Sequence, residues 1–280
     1  MEIALQFVLL ALGFVMLAKG ADWFVEGAAG IAMRFGIPQL VIGLTIVAMG
    51  TSAPEAAVSI AAAVKGNADI TIGNIVGSNI LNILVILGLA ASIVPIAVAR
   101  STVRIEIPFM IAVTALLFYQ GRDGSISLAD GGVLMVAFAA YMMYLYTMAM
   151  KSNVDSDLEE PGLPLGRCLL GAVGGLALII AGSNVTVGAA TSIATYAGLS
   201  ERFIGLTIVA LGTSLPELFT SVAAARRGNA DIAIGNIVGS NIFNILFVVG
   251  LSSLIIDIPF ASAFNFDTYV ALGAAVLLLL

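Results

Sequence analysis

Two glutamates hold matching places in a chain that carries little other charge. The stretch GLTIVAMGTSAPE covers residues 43–55 and GLTIVALGTSLPE covers residues 205–217, so Glu55 and Glu217 each follow a proline at the end of an apolar run. Proline has no amide hydrogen. Pro54 therefore leaves the carbonyl of Gly50 without its helical partner, and Pro216 does the same to Gly212. Away from water an unsatisfied carbonyl costs several kcal/mol unless something binds it, and a cation is a natural partner. Thr51 and Ser52 precede Glu55 by four and three residues, as Thr213 and Ser214 precede Glu217, so on a helical stretch their oxygens share a face with the carboxylate. A second row follows: Asn74, Ser78 and Asn82 recur every four residues, as do Asn236, Ser240 and Asn244. Every one of these groups is a hard oxygen donor. Such a set suits Ca²⁺, which takes 6–8 oxygens in flexible geometry, and it also suits Na⁺. Histidine is absent and Cys168 is the single cysteine, so soft-ligand transition metals are poorly served. Two carboxylates balance one Ca²⁺ or hold two or more Na⁺, and competition of ions for one site is the simplest basis for exchange.

A purely local reading exists. Ser52 with Glu55, and Ser214 with Glu217, have the S-x-x-E spacing of a capping box that restarts a helix after a break. In water such a cap costs little, but a glutamate near the centre of a bilayer costs about 2.5–3.5 kcal/mol or more. Glycine and proline alone could make the kink. Two such costs point to a site, although capping and ion binding can coexist.

The surroundings are those of a membrane. Of the 280 residues 60% are hydrophobic and 10% charged, too little polar surface for a soluble domain. Nine apolar segments, near 3–33, 38–64, 69–92, 104–120, 127–150, 165–197, 201–225, 231–255 and 267–280, predict an all-α integral membrane protein. The N-terminus reads as the first spanning helix rather than a cleaved leader. The last segment stops within an apolar run, which predicts that the sequence is truncated there. The net charge of −6 includes an acidic connection at 152–162, and no basic patch for nucleic acid occurs.

The chain is duplicated. Residues 43–84 align with 205–246 at a constant offset of 162, and 32 of the 42 positions are identical. The repeat unit spans five segments, an odd number, so the second copy enters the membrane from the opposite side and the halves are inverted. This divides the chain into a first inverted repeat at 1–150, a connecting loop at 151–164 and a second repeat at 165–280. With the N-terminus outside, the inner connections hold Arg34, Arg100, Arg104, Lys151, Arg167, Arg226 and Arg227, and the outer ones hold Lys65, Arg122 and Arg202. That bias predicts an external N-terminus and a cytoplasmic 151–164 loop in a multi-pass cell-membrane protein.

GTSAPE with GNIVGSNILN, repeated as GTSLPE with GNIVGSNIFN, resembles the paired alpha-repeats of the calcium/cation antiporter superfamily, and most nearly those of prokaryotic sodium/calcium exchangers. The resemblance implies a ten-helix antiporter fold whose last helix is missing from this chain, with the second, third, seventh and eighth helices around the ions. It implies Glu55 and Glu217 as central calcium ligands, joined by Thr51 and Thr213 through backbone oxygen. Ser52, Ser214, Ser78 and Ser240, with the carbonyls of Ala48 and Ala210, would line sodium sites, and Asn82 and Asn244 would complete the centre. The first and sixth helices would slide across the remainder. Asn244 stands where several relatives have Asp, which argues against potassium coupling. The absence of a glutamate near Gly77 or Ser78 argues against proton coupling.

Other residues read less sharply. Asp69 and Asp231 are expected to N-cap the helices that follow them. Asp22 and Glu26 fit an interface better than an access path, Cys168 reads as inert, and Trp23 fits either a membrane interface or the bundle interior. The expectation is a Na⁺/Ca²⁺ antiporter working as a monomer in the lipid bilayer, without cofactor, catalytic residues or protein partner. Its rivals are an H⁺/Ca²⁺ or other divalent-cation exchanger of the same fold, a passive cation channel, and, with no nucleophile–base pair or phosphate loop, least of all an enzyme.

Overall fold

A computed structural model describes residues 2–66, 68–152, 163–200, 207–208 and 210–279. The chain is helical nearly throughout. Helix α1 (Glu2–Arg34) leads to α2 (Gln39–Thr51) and α3 (Ala53–Val64), which form one apolar span bent by 50°. Helix α4 runs through Asp69–Leu81, π-helical Asn82–Leu87 and Gly88–Ile93. Helix α5 starts with a π-helical turn at Thr102–Glu106 and continues as Ile107–Gln120, and α6 is Leu128–Ser152. Helix α7 (Leu165–Tyr196) opens the second half, followed by the short α8 (Ala210–Thr213) and α9 (Leu215–Arg226). Helix α10 repeats α4 as Ala230–Phe243, π-helical Asn244–Val249 and Gly250–Ile255, and α11 is Phe264–Leu279. Among the described residues six helices are long and apolar enough to cross a membrane, and the bent α2–α3 pair makes a seventh. Two-residue strands β1 (Ser125–Ile126) and β2 (Ile258–Pro259) pair antiparallel where α5 and α10 end.

The expected segments coincide with these helices to within a few residues. The seventh segment lies partly outside the described residues, as do most of the 151–164 connection and Arg202. The turns repeat as well. Gly36 and Gly198, 162 apart, end α1 and α7 at φ of 60° and 80°, where a residue with a side chain would be strained. The amides beyond them reach back to Ala32 and Ala194 at 2.9 and 3.1 Å.

One expectation is corrected. Asp231 does not cap α10: Asn229 occupies the N-cap, no side chain makes a capping bond there, and Asp231 sits inside the first turn. Its charge still faces the positive end of the helix dipole. Helix α4 likewise begins at Asp69 itself, with Ala68 at the cap.

Helices α1 and α7, 33 and 32 residues long, would span about 48–50 Å at the helical rise of 1.5 Å per residue. The apolar core of a bilayer is about 30 Å thick, so both must run obliquely. They lie against each other along glycines. A Cβ at Gly20 would stand 2.9 Å from the Gly175 carbonyl oxygen, and one at Gly27 would stand 2.4 Å from the Ala172 amide. In hydrocarbon, where lipid is as apolar as leucine, close backbone approach of this kind supplies the packing attraction. On their inner side Leu17, Phe24 and Ile179 are buried with Ala224 and Ala233. A larger core joins α4, α5, α6, α10 and α11 through residues such as Ile72, Met110, Leu134 and Ile237. Helix α10 lies at the centre, with every residue from Ile232 to Phe243 buried.

This contact is testable with neighbouring glycines. A Cβ at Gly175 would meet the backbone of Phe24 at 2.5 Å, whereas one at Gly174 meets nothing within 4 Å. Gly175→Val should cost at least the 1–3 kcal/mol typical of overpacking, roughly, and lower the thermal midpoint in detergent, while Gly174→Val should leave it near wild type. Equal midpoints for the two variants would contradict the close α1–α7 approach.

Candidate functional site

The break between α2 and α3 falls at Ser52, and the break between α8 and α9 falls at Ser214. Each serine is the N-cap of the helix that carries the glutamate, yet neither makes a capping hydrogen bond with its side chain. They reach across the repeat interface. Ser52 Oγ donates to Glu217 Oε1 at 2.8 Å, and Ser214 Oγ lies 3.2 Å from Glu55 Oε1. The local capping-box pairing is thus replaced by two crossed bonds between halves.

Both carboxylates are 1% exposed. In each, the second oxygen (Oε2) is buried without a hydrogen-bond partner among the described residues. A hydrogen bond to a charged group is worth about 1.5–3 kcal/mol, so the serines compensate only part of the burial. The remaining oxygens form a concentrated acceptor set.

The main chain of each glutamate is held as well. Asn74 Nδ2 donates to the Glu55 carbonyl at 3.3 Å and to Ser59 Oγ at 2.9 Å. Asn236 Nδ2 makes the same pair of contacts, to the Glu217 carbonyl at 3.4 Å and to Ser221 Oγ at 2.9 Å. The first asparagine of each four-residue row thus secures the glutamate helix through its nitrogen. The middle serines approach the centre: Ser78 Oγ is 3.4 Å from Ser214 Oγ, and Ser240 Oγ is 3.4 Å from the Ala48 carbonyl. Asn82 and Asn244 lie one turn further on, both buried, each with Oδ1 unpartnered among the described residues.

The two halves differ in packing despite their shared residues. Thr51 is fully buried and its hydroxyl meets Asn236 Oδ1 at 3.0 Å, whereas Thr213 is partly exposed and its hydroxyl meets the Ala210 carbonyl at 3.2 Å. Ala48 is buried and Ala210 exposed. Glycines carry the difference: a Cβ on Gly239 would stand 2.8 Å from Leu44 and Ala48, while one on the equivalent Gly77 would meet nothing within 4 Å among the described residues. Helix α10 is clamped on α2, while among the described residues α4 meets α8 more loosely. The space between holds a cavity of about 230 Å³ lined by Asn74, Gly77, Ser78 and Ala210. A second cavity, of about 640 Å³, reaches Thr213 between α3 and α7, past Pro54, Val58 and Asn184.

One of the freed carbonyls fares differently from expectation. The Gly212 carbonyl accepts a 2.7 Å hydrogen bond from Ser183 Oγ of α7, so a neighbouring hydroxyl takes the place expected for a cation. The equivalent of Ser183 in the first half is Ala21.

The remaining residues resolve simply. Asp22 and Glu26 lie 3.4 and 3.1 Å from Arg227 in a half-exposed ion-pair cluster, away from the carboxylate pair. Trp23 faces outward at 53% exposure, and Cys168 is buried under Gly30. Three residues passed over in the sequence matter here. Asn79 and Asn241 bridge the repeats, and their signal was their identity within both GNIVGSN copies. Glu106 is a third buried carboxylate, hydrogen-bonded by Tyr144 on α6 and remote from the cluster in sequence and helix partners. No sequence repeat marks it.

The chain's likeness to known proteins follows this geometry. The profile of the sodium/calcium exchanger protein family matches residues 5–147 and 168–280. The sodium/calcium exchanger MaX1 of Methanosarcina acetivorans is 34% identical, over 99% of this chain and 91% of that protein. The inner membrane protein YrbG of Escherichia coli is 40% identical, over 88% of this chain and 79% of its own length. A solved structure of the sodium-calcium exchanger NCX_Mj, soaked with Na⁺ and Sr²⁺, superposes with a TM-score of 0.87 at 34% identity, covering 99% of this chain and 90% of that one.

The packing asymmetry predicts asymmetric chemistry. In a Cys168→Ala background, Ala210→Cys should react with a membrane-impermeant maleimide about tenfold or more faster than Ala48→Cys, since thiol reactivity follows access. Labelling should come from the face that bears Lys65. Comparable labelling of both positions would contradict the closed α2–α10 contact.

Proposed function

Because the chain belongs to the sodium/calcium exchanger protein family, we propose that it is a secondary active antiporter exchanging Na⁺ for Ca²⁺ at the Glu55–Glu217 cluster. The family is one of cation antiporters in the membrane, and the fold is its ten-helix inverted-repeat fold. One observation carries the finer reading: two buried carboxylates from opposite halves, each fixed by the other half's serine, each keeping one unpartnered oxygen. Those oxygens, with Asn82 and Asn244, are the ones we assign to Ca²⁺. Thr51 and Thr213 would add backbone oxygen there. Ser52, Ser214, Ser78 and Ser240, with the carbonyls of Ala48 and Ala210, would serve Na⁺ on either side.

The chemistry fits exchange. Two carboxylates offset the charge of one Ca²⁺, and sodium ions can take the same oxygens when Ca²⁺ leaves. Ca²⁺ needs six or more oxygens at about 2.3–2.6 Å, which in this cluster only both halves together supply. Na⁺ rather than H⁺ as the coupling ion is supported by the neutral groups at Gly77, Ser78 and Asn244, which leave Glu55 and Glu217 as the cluster's acids.

Alternating access is supported by the unequal halves. Reversing which of α4–α8 and α10–α2 is closed would move the opening to the other face. The sliding pair would be α1 and α7, whose glycine-lined contact makes them one unit. The excess of Lys and Arg supports an orientation with the N-terminus and Lys65 outside and the 151–164 connection in the cytoplasm. The present conformation would then be open outward. We take 1–150 and 165–280 as the two inverted halves of a unit that works as a monomer.

The decisive experiment is ⁴⁵Ca²⁺ flux in proteoliposomes under an imposed Na⁺ or H⁺ gradient. Uptake should follow the Na⁺ gradient, and uptake driven by pH alone would establish the H⁺/Ca²⁺ alternative instead. Flux needing no counter-ion would establish a channel. Glu55→Gln and Glu217→Gln each remove one charge at constant volume and should each reduce Ca²⁺ flux at least about 100-fold, the upper end for disturbing a metal site's support. Near-normal flux in either variant would remove the central role assigned to that residue.

A further inference from the structure

Asn79 and Asn241 are almost fully buried, at 4% and 1% exposure, and lie in the last turn before α4 and α10 pass into π-helical winding. They bridge the repeats reciprocally. Asn79 Nδ2 donates to the Asn241 carbonyl at 3.1 Å, and Asn241 Nδ2 donates to the Asn79 carbonyl at 3.2 Å. Each also meets the site amide of the opposite half. Asn244 Nδ2 donates to Asn79 Oδ1 at 3.1 Å, and Asn82 Nδ2 donates to Asn241 Oδ1 at 3.0 Å.

The orientation of all four side chains follows from one fact: a main-chain carbonyl can only accept. Asn79 must therefore turn its nitrogen to the Asn241 carbonyl, which leaves its oxygen for Asn244. Asn244 must answer with its nitrogen, which leaves its own oxygen free. The mirror chain runs through Asn241 to Asn82. Turning either site amide over would set two oxygens against each other in a buried place. This is consistent with the unpartnered state of Asn82 Oδ1 and Asn244 Oδ1.

We propose that Asn79 and Asn241 are crossed positioning residues, each holding the site amide of the opposite repeat with its oxygen toward the cation and its NH₂ away from it. The proposal rests on the exchanger reading above. An amide free to rotate would offer a cation two N–H dipoles of the wrong sign as readily as an oxygen. The clamp turns it into an acceptor-only ligand without adding negative charge. It also joins the halves at the level of the main chain, so the oxygen contributed by one half is set by the other.

A plain packing role would let Asn79 affect stability without preferring Asn82 or Asn244, so a double-mutant cycle separates the two roles. The readouts are equilibrium Ca²⁺ affinity, from the Ca²⁺-dependent thermal shift of the full chain in detergent, and the half-saturating Ca²⁺ for exchange in proteoliposomes. Asn79→Ala should weaken Ca²⁺ about 10-fold, as loss of an outer-shell partner does. On top of Asn244→Ala it should add almost nothing, whereas with Asn82→Ala the losses should multiply. The mirror cycle, Asn241→Ala with Asn82→Ala, should behave alike and serves if Asn79→Ala does not fold. Losses that multiply within Asn79 and Asn244, or unchanged affinity in a folded Asn79→Ala protein, would overturn the clamp while leaving the exchanger reading intact. A wild-type chain that neither binds nor exchanges Ca²⁺ would overturn that reading and the inference with it.

Discussion

The structure is organised around the cost of holding two carboxylates inside a membrane protein. Neither half can meet that cost alone. Glu55 receives its side-chain contact from Ser214 and Glu217 receives its own from Ser52, so each acid is tied to the opposite repeat. This requires both helix breaks. An unbroken α2–α3 span would direct the Ser52 hydroxyl along its own helix, toward its own carbonyls four residues back, whereas the 50° bend at that residue lets it reach across. Pro54 and Pro216 maintain the breaks, and Asn74 and Asn236 hold the glutamate main chain at the start of the next helix. The glycine-lined contact of α1 with α7 then packs against an interior that the crossed pairs have already set.

Near-identical sequences in the two halves do not give identical packing. Gly239 sits against Leu44 and Ala48, and Gly77, with the same neighbours in sequence, sits against nothing among the described residues. Helix α10 is buried on all sides while α4 keeps an open flank lined by Gly77 and Ser78. An inverted pair that closed both flanks would seal the cluster from both faces. One that opened both would form a continuous pore. Under the exchanger reading, a single closed flank is the arrangement an antiporter needs at each moment. Ser183, which binds the Gly212 carbonyl across from α7, has only Ala21 as its counterpart.

The sequence made the membrane class, the helical segments, the inversion and the paired carboxylates legible, because each rests on spacing or on counting along one chain. The glutamate behind a proline needed no partner to be recognised. The details that escaped all depend on the other half. Ser52 and Ser214 read as local caps because Glu55 and Glu217 stand three residues on in the same copy, yet the bonds exchange copies. The four-residue rows placed Asn74, Ser78 and Asn82 on one face, but only the contacts show that Asn74 gives its nitrogen to the Glu55 main chain. Asn79 falls off that row and was passed over, although it faces Asn241 and not solvent. The cap assigned to Asp231 failed for a simpler reason. Asn229, two residues earlier, already occupies the non-helical position, so the helix starts before the acid is reached.

The balance of charged and neutral donors bears on how one cage can suit different ions. Four carboxylates at positions 55, 217, 82 and 244 would repel one another strongly in a dry interior and hold a divalent ion too tightly to release. Amides at 82 and 244 supply oxygen with no formal charge, at the expense of nitrogens that repel cations. Here those nitrogens are spent on Asn241 and Asn79. The cluster therefore offers a fixed charge of two carboxylates within a larger shell of neutral oxygens. Under the exchanger reading, the carboxylate pair sets how much positive charge is bound, and the neutral shell lets that charge arrive as one Ca²⁺ or as several Na⁺. Discrimination between the ion sets then falls to geometry, which the crossed contacts between the halves hold in place.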